Sequence, residues 1–150
     1  MPDGIILGSD HAGFDLKEKV KTALDRLGVP YEDVGTQSTE SVDYPDYAHR
    51  VAEAVEKGRY ARGIVVCGTG LGVSMAANRH PGVRAAVAYD EETARLSREH
   101  NDANVLALGA RSLDHGLAER ILEVWLKTPF AGGRHARRVA KIEPGTTDPR

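Results

Sequence analysis

The residue with the clearest chemical potential is Cys67, in the stretch GIVVCGTGLGVSMAANR, residues 63–79. It is the only cysteine of the chain, and glycines follow it at 68, 70 and 72. An apolar run that ends in closely spaced glycines is typical of a strand turning sharply into a helix. The N–H groups of such a turn stabilise an anion, and a nearby helix N-terminus favours a thiolate. The stretch indicates either a reactive thiol beside an anion-binding loop or a buried cysteine beside a plain tight turn.

The spacing of these glycines separates the stretch from the common nucleotide-binding loops. It reads G-x-G-x-G, which is neither the dinucleotide pattern G-x-G-x-x-G nor a Walker A loop. Thr69, inside the loop, could hydrogen-bond the Cys67 sulfur or relay a proton. No metal is expected, because a second cysteine is absent and the six histidines have no recognised ligand spacing. A redox role for Cys67 is disfavoured, since the chain has no resolving cysteine.

Polar residues also follow the first and fifth predicted strands, where ligands bind in parallel α/β sheets. Asp10 and His11 lie in GSDHAG after the first strand. Asp10 could cap the following helix, bind a ligand, or do both. His11 has no evident structural role, which favours function. Arg111 follows the fifth strand in LGAR, although a loop arginine is more often simply solvated.

A second group of candidates lies near helix ends in the C-terminal half. His100, followed by Asn101, closes the fourth predicted helix. It could complement the helix dipole as a cation or transfer protons near neutral pH. Arg134 and Arg138, in GGRHARRV, are four residues apart and would share a helix face. They could form a phosphate clamp or a solvated basic segment, and nucleic-acid binding is disfavoured because the net charge is -2.

The elements that must position these residues alternate between strand and helix along the chain. The predicted strands are 4–10, 30–35, 63–67, 83–90 and 103–110. The predicted helices are 14–28, 47–58, 70–79, 91–101, 113–127 and a short basic one from 134. Residues 36–47 are predicted to be a polar loop. The pattern predicts a Rossmann-like three-layer α/β/α sandwich with a parallel five-stranded sheet. One domain is expected over 1–150, with 143–150 as a flexible C-terminal tail.

Length and composition are those of a globular protein. The chain has 150 residues, of which 41% are hydrophobic and 28% charged, and this size suits one domain with a core of its own. No run has the pattern of a signal peptide or the length of a membrane span. One cysteine cannot form an internal disulfide, so a reducing compartment is expected. The prediction is a cytoplasmic protein without a membrane or nucleic-acid partner.

Five stretches of the chain together resemble the type B ribose-5-phosphate isomerase family, which also includes galactose-6-phosphate isomerase subunits. They are GSDHAG, DYPDYA, VVCGTGLGVSMAANR, REHNDANVLALGAR and GGRHARRV. The resemblance implies a homodimer, sometimes paired into a tetramer, whose active site is shared between subunits and needs no metal or cofactor. It implies isomerisation of an aldose phosphate and a ketose phosphate, here ribose 5-phosphate and ribulose 5-phosphate of the pentose phosphate pathway.

The resemblance also implies a role for each matching residue. Cys67 would be the base that moves a proton between C2 and C1, with Thr69 assisting, and His100 would open the furanose ring. The loop Gly68, Thr69, Gly70, Leu71 and Gly72 would hold the enediolate oxygens. The remaining positions would bind sugar or phosphate or line the pocket: Asp10, His11, Tyr44, Asn101, Arg111, Arg134 and Arg138.

Other functions stay open at this stage. The substrate could be another sugar phosphate, such as allose 6-phosphate, galactose 6-phosphate or erythrulose 4-phosphate, because pocket depth decides the chain length that fits. A non-catalytic nucleotide- or flavin-binding module on the same kind of fold is a further alternative, disfavoured by the missing G-x-G-x-x-G and Walker lysine. No acidic residue stands in the glycine loop, so the resemblance is to the branch of the family that uses cysteine as the base.

Overall fold

A computed structural model describes residues 4–146 of the chain. It contains five strands, which are β1 Ile5–Ser9, β2 Tyr31–Asp33, β3 Arg62–Cys67, β4 Ala85–Val87 and β5 Val105–Gly109. Its six helices in that range are α1 Phe14–Leu27, α2 Tyr44–Glu56, α3 Leu71–Ala77, α4 Glu91–Glu99, α5 His115–Lys127 and α6 Arg134–Ala140. The alternation predicted from the sequence is confirmed.

The five strands form one parallel sheet in the order β2-β1-β3-β5-β4. Successive side chains of the central strands point to opposite faces of the sheet. Each strand therefore contributes side chains to two hydrophobic cores, one on each face. On one face, Ile64 and Val66 of β3 pack with α1, α4 and α5. On the other, Val65 and Cys67 pack with α2 and α3. The predicted α/β/α sandwich is confirmed, and Cys67 belongs to the α2–α3 face.

Several element boundaries differ from the sequence prediction, and two of the differences have a clear local cause. The predicted polar loop 36–47 ends early, because α2 begins at Tyr44 with Pro45 in its first turn. Proline suits that position, since its fixed φ is helical and it lacks the N–H that a first turn leaves unbonded. The fourth strand is shorter than 83–90 because Asp90 already caps α4, with its side chain accepting from the Thr93 N–H.

The segment after α6 is described as far as residue 146. Glu143 Oε1 accepts a hydrogen bond of 2.7 Å from the Gly82 N–H, which ties this segment to the turn before β4. Part of the predicted flexible tail, residues 147–150, lies outside the described residues. Over the described range, every helix is too short or too polar to cross a membrane.

Candidate active site

Cys67 ends β3 at the carboxyl edge of the sheet and is only 4% exposed. Its sulfur accepts a hydrogen bond of 3.2 Å from the Gly70 N–H. Gly70 can turn its amide back in this way because its φ is +82°, a conformation that favours glycine. The thiol is therefore held by the glycine loop and does not merely fill apolar space.

The loop after Cys67 packs on the end of β5. The Ala110 N–H donates to the Cys67 carbonyl and the Arg111 N–H to the Gly68 carbonyl, both at 2.9 Å. The Arg111 guanidinium lies on Gly68, where its Cζ would be 2.8 Å from an added Cβ. The arginine thus occupies the space that a side chain at residue 68 would fill, and it borders the thiol loop as predicted.

Thr69 has a different partner from the one predicted. Its Oγ1 accepts a hydrogen bond of 3.2 Å from the Leu71 N–H, and the described residues show no bond from this hydroxyl to Cys67. An ST-type turn of this kind is the common local use of a threonine before a helix. In this structure Thr69 shapes the loop.

Asp10 and His11 lie at the same edge, beyond β1. Asp10 is buried, its N–H donates to the Val66 carbonyl at 3.3 Å, and its Oδ1 accepts from the Gly13 N–H at 2.9 Å. It therefore holds the turn before α1 but is not its cap, because the N-cap residue is Gly13 and no side chain of the described residues caps the first turn of the helix. His11 does have a structural role, contrary to expectation, because its Nδ1 accepts from the Val42 N–H at 3.1 Å. That bond ties the loop before α2 to the carboxyl edge.

Tyr44 completes this cluster from the first residue of α2. Its ring lies over Gly72, with Cε1 2.5 Å from where a Cβ would stand, and the residue is 40% exposed. An early start of α2 and a glycine at 72 are both needed for this contact. The carboxyl edge therefore brings together Asp10, His11, Tyr44, Cys67, the glycine loop and Arg111.

His100, Asn101, Arg134 and Arg138 lie at the opposite, amino edge. A helix that follows a parallel strand runs back along the sheet, so α4 ends near the start of β5. Consistent with this, Asn104 bonds residues at the starts of β3 and β4, namely Gly63 and Arg84. The five residue steps of β3 span about 17 Å. One chain alone does not bring His100 to Cys67.

The α6 arginines belong to the same amino-edge cluster. The His135 ring, next to Arg134, stacks on the His100 ring with centroids 4.2 Å apart and planes 13° apart. The Ala131 N–H donates to the Glu99 carbonyl at 3.0 Å, which fixes the approach to α6. A cleft next to this cluster is lined by Asn101 together with residues from the end of α3 and from the segment after α6.

The sequence reading missed three features that support these clusters. Gly109 is one, because an added Cβ would be 2.5 Å from the Thr69 carbonyl oxygen, and its only signal is a glycine at the end of a strand. His135 is the second. The third is an ion cluster beneath α1, in which the fully buried Lys17 contacts Asp33 at 2.7 Å. A charged residue at a helical core position was its signal.

Two titratable groups near the site have shifted pKa values. Burial lowers the pKa of His135, and the nearby His100, Arg134 and Arg138 lower it further. Burial alone would raise the pKa of Asp33, but hydrogen bonds from Lys17 and Lys21 outweigh it and the pKa is lowered. Over residues 4–146, no three His, Cys, Asp or Glu side chains are grouped so as to hold a metal ion.

Comparison with known proteins shows which family this chain resembles. The family model described as Ribose/Galactose Isomerase matches residues 5–142. Ribose-5-phosphate isomerase B of Escherichia coli is 48% identical over 138 residues, covering 92% of this chain and 93% of that protein. A Clostridium thermocellum ribose-5-phosphate isomerase B structure superposes with a TM-score of 0.91 at 55% identity, covering 93% of this chain and 94% of that one.

A further solved structure contains a ligand. It is the ribose-5-phosphate isomerase B of Mycoplasma genitalium with bound ribulose-5-phosphate, with a TM-score of 0.89 and 42% identity over 93% of both chains. Fold and sequence together define an isomerase on a parallel α/β sheet. The chain belongs to the ribose/galactose isomerase family. Membership in this family of enzymes removes the alternative of a non-catalytic nucleotide-binding module.

Proposed function

We propose that this isomerase interconverts ribose 5-phosphate and ribulose 5-phosphate through an enediolate, in the cytoplasm and as a step of the pentose phosphate pathway. The identity to the E. coli enzyme over 92% of the chain supports this substrate, as does the ribulose-5-phosphate in the M. genitalium structure. A proton transfer next to a carbonyl group needs a base, hydrogen-bond donors for the developing oxyanion and residues that bind the phosphate.

Cys67 is the proposed base. The observation that carries the proposal is its position directly before the glycine loop, which bonds its sulfur. Its sulfur lies at the mouth of the carboxyl edge and accepts the Gly70 N–H at 3.2 Å. The thiolate would remove the proton from C2 of the open-chain aldose and return it to C1, while the hydroxyl proton of O2 would pass to O1. Thr69 would assist by holding the loop in shape through its bond to Leu71.

The first turn of α3 would stabilise the enediolate oxygen. Of the loop N–H groups, that of Gly70 is used by the sulfur and that of Leu71 by Thr69. The N–H groups of Gly72 and Val73 precede the first intrahelical bond of α3, which Ser74 makes to Gly70. They are the donors that we assign to the oxyanion, where preorganised N–H groups act most strongly.

The remaining site residues would bind and open the sugar. His100 would open the furanose ring by moving a proton between the anomeric hydroxyl and the ring oxygen. Arg111, Arg134 and Arg138 would hold the phosphate. Three polar side chains and one ring would contact the sugar or line its pocket: Asp10, His11, Asn101 and Tyr44. Binding energy from the phosphate would orient C1 and C2 against Cys67. The reaction as written uses no metal or cofactor.

A homodimer, which could pair further into a tetramer, would complete the site. Leu71 and Met75 lie four residues apart on one face of α3 and are 46% and 68% exposed. The N-terminus of α3 adjoins Cys67, and its C-terminus adjoins the cleft that Asn101 lines. Two copies of α3 packed antiparallel about a twofold axis would cover these side chains. The same packing would carry the partner subunit's amino edge to this chain's carboxyl edge.

The test is Cys67→Ala, with Thr22→Ala on the exposed side of α1 as the matched control. We expect turnover of ribose 5-phosphate to fall by about 10²–10⁴-fold, the contribution of a positioned base. Binding of ribose 5-phosphate, followed by calorimetry, should stay within a few-fold, and incorporation of solvent deuterium into the sugar should stop. Near-normal turnover in Cys67→Ala would contradict the assignment of the base.

The same assay distinguishes the possible substrates. The kcat/KM of the wild-type enzyme is compared over ribose 5-phosphate, allose 6-phosphate, galactose 6-phosphate and erythrose 4-phosphate, the aldose partner of erythrulose 4-phosphate. We expect the highest value with ribose 5-phosphate. A higher value with another sugar phosphate would replace the substrate while leaving the roles of the residues open to the Cys67 test.

A further inference from the structure

The helix α6 is joined to the rest of the chain by few contacts. None of its residues is buried. It is held before its start by the bond between Ala131 and Glu99, and after its end by the bond between Glu143 and Gly82. Between these two points, His135 stacks on His100. That stack joins the helix that carries two of the proposed phosphate ligands to the residue proposed to open the sugar ring.

His100 needs such a contact to hold its ring in one plane. It is the C-terminal cap of α4, its N–H donates to the Leu96 carbonyl, and it is half-buried. Over residues 4–146 the structure shows no hydrogen bond to its ring nitrogens. The second side-chain torsion of histidine has a broad minimum, so without a neighbour the ring would rotate. A stacked partner restricts that rotation and leaves both nitrogens available to the sugar.

We propose that His135 is a positioning residue, whose imidazole fixes the plane of the His100 ring. It would thereby couple the opening of the sugar ring to the binding of the phosphate by α6. This inference rests on the proposed function. Arg134 and Arg138 lie on either side of His135 in the sequence, so a phosphate bound by them would fix α6. His135 would then be pressed against His100 in the orientation that ring opening requires.

The charges around His135 suit this role. The groups that face it are the imidazole of His100, the guanidinium groups of Arg134 and Arg138, and the carboxylate of Glu99. Burial and the neighbouring His100, Arg134 and Arg138 lower the pKa of His135, which favours its neutral form. A neutral ring can remain stacked on His100 both before and after His100 takes up a proton, whereas two imidazolium rings would repel each other.

The experiment compares His135→Phe with His135→Leu, which fill the same place with and without a flat ring. On ribose 5-phosphate we expect His135→Leu to lower kcat about tenfold or more with KM within about twofold, as a misplaced catalytic group does. His135→Phe should recover most of the loss. His135→Ala should behave as His135→Leu, and His115→Ala, an exposed histidine at the start of α5, should behave as wild type.

The second arm uses 4-deoxyribose 5-phosphate, which lacks the hydroxyl that closes the furanose and needs no ring opening. We expect the His135 variants to process it within about twofold of wild type, as a group that acts only on ring opening should. An equal loss on both sugars, a large rise in KM, or no advantage of Phe over Leu on ribose 5-phosphate would overturn the proposal. Poor folding of His135→Ala would leave the comparison of Phe with Leu decisive.

His100→Asn separates this inference from the proposed function. If His100→Asn retains normal turnover of ribose 5-phosphate, the role proposed for His100 fails and the inference fails with it. If His100→Asn is defective on ribose 5-phosphate alone while His135→Leu matches wild type, the proposed function stands and only the positioning role of His135 is refuted.

Discussion

The missing side chain at Gly68 gives Arg111 its place beside the thiol. An added Cβ would stand 2.8 Å from the guanidinium carbon and 2.8 Å from one of its nitrogens. Because the obstruction is the end of a flexible side chain, the chain can still fold by moving Arg111 away. The glycine therefore matters to what the arginine binds more than to the stability of the loop.

We expect Gly68→Ala to raise KM for ribose 5-phosphate roughly tenfold, the effect of losing one charge-assisted contact of about 1.4 kcal/mol. The melting temperature should change little. Steady-state kinetics and thermal unfolding check both expectations. Gly116→Ala is the matched control, because a Cβ there would meet its nearest atom at an ordinary 3.4 Å. An unchanged KM in Gly68→Ala would show that Arg111 does not bind the phosphate.

The residue chemistry could be read from the sequence only in part. The placement of Cys67, the glycine loop and Arg111 at the carboxyl edge could be predicted because residue types and spacing carry that signal, while their roles stay predictions. The bond of Thr69 to Leu71 and that of His11 to Val42 depend on how two loops fold back, which no local pattern encodes. The stack of His135 on His100 joins residues 35 positions apart, and neither ring has a partner within its own element.

At the scale of elements, a buried ion cluster joins α1 to β2. The Lys17 ammonium is fully buried, contacts both Asp33 oxygens at 2.7 Å and donates to the Thr36 carbonyl at 2.6 Å. Lys21 also contacts Asp33, at 2.9 Å. Through Thr36, whose N–H donates to the Ser9 carbonyl at 2.8 Å, the cluster supports the end of β1. Asp10 and His11 follow directly from that strand end.

We expect Asp33→Asn to destabilise the protein by about 3–5 kcal/mol, because it leaves the buried Lys17 ammonium with only the more distant Glu18 carboxylate, 3.8 Å away, as a counter-charge. Lys17→Met should cost less, about 1–3 kcal/mol, since Asp33 keeps its bonds to Lys21 and to the Gly35 N–H. Urea unfolding at one protein concentration measures both. An equal or larger loss in Lys17→Met would mean that packing, and not the buried charge, dominates.

The same cluster has a defined dependence on pH. The pKa of Asp33 lies below its ordinary 3.8 in the folded chain. Its contribution to stability is therefore complete above that ordinary value and is lost as the pH falls through the lowered one. Lys21 is protonated throughout this range, since its hydrogen bonds to Asp33 and Glu18 outweigh the effect of burial and raise its pKa to about 12.

The sequence predicted well the elements that have a long periodic pattern of apolar residues. It predicted poorly the elements whose ends are set by helix caps. The buried central strands β1, β3 and β5 and the amphipathic α1 and α5 follow directly from their apolar patterns. The edge strands β2 and β4 have three residues each, and their ends are set by neighbouring caps. The start of α2 at Tyr44 was missed because the polar residues before Pro45 look like a loop.

At the scale of the whole molecule, the proposed site is divided between two edges of the sheet. Each chain would contribute its carboxyl edge to one site and its amino edge to another. The division explains why sequence motifs spread over most of the chain could serve one reaction. Sequence patterns predict which residues take part, but which edges would meet in the proposed dimer depends on the exposed face of α3 and on symmetry.

Mixed dimers of Cys67→Ala and His100→Asn chains test this division. A heterodimer would have one site with both changes and one site with neither. After mixing, unfolding and refolding at equal amounts, half of the dimers are mixed, so about a quarter of the wild-type activity should return by mass action. Each variant alone should stay inactive. No recovery, with heterodimers confirmed by mass spectrometry, would place both residues in a site within one chain.

The strand order has a consequence for how the chain is made. During synthesis, β1, β2 and β3 are complete before β4, yet β4 pairs with β5, which lies between it and β3. The nascent chain therefore exposes the outer edge of β3, the strand that ends in Cys67, until residues 105–109 arrive. An open apolar edge is a template for pairing with another chain. Insertion of β5 closes that edge, and the glycine loop then gains the surface on which it rests.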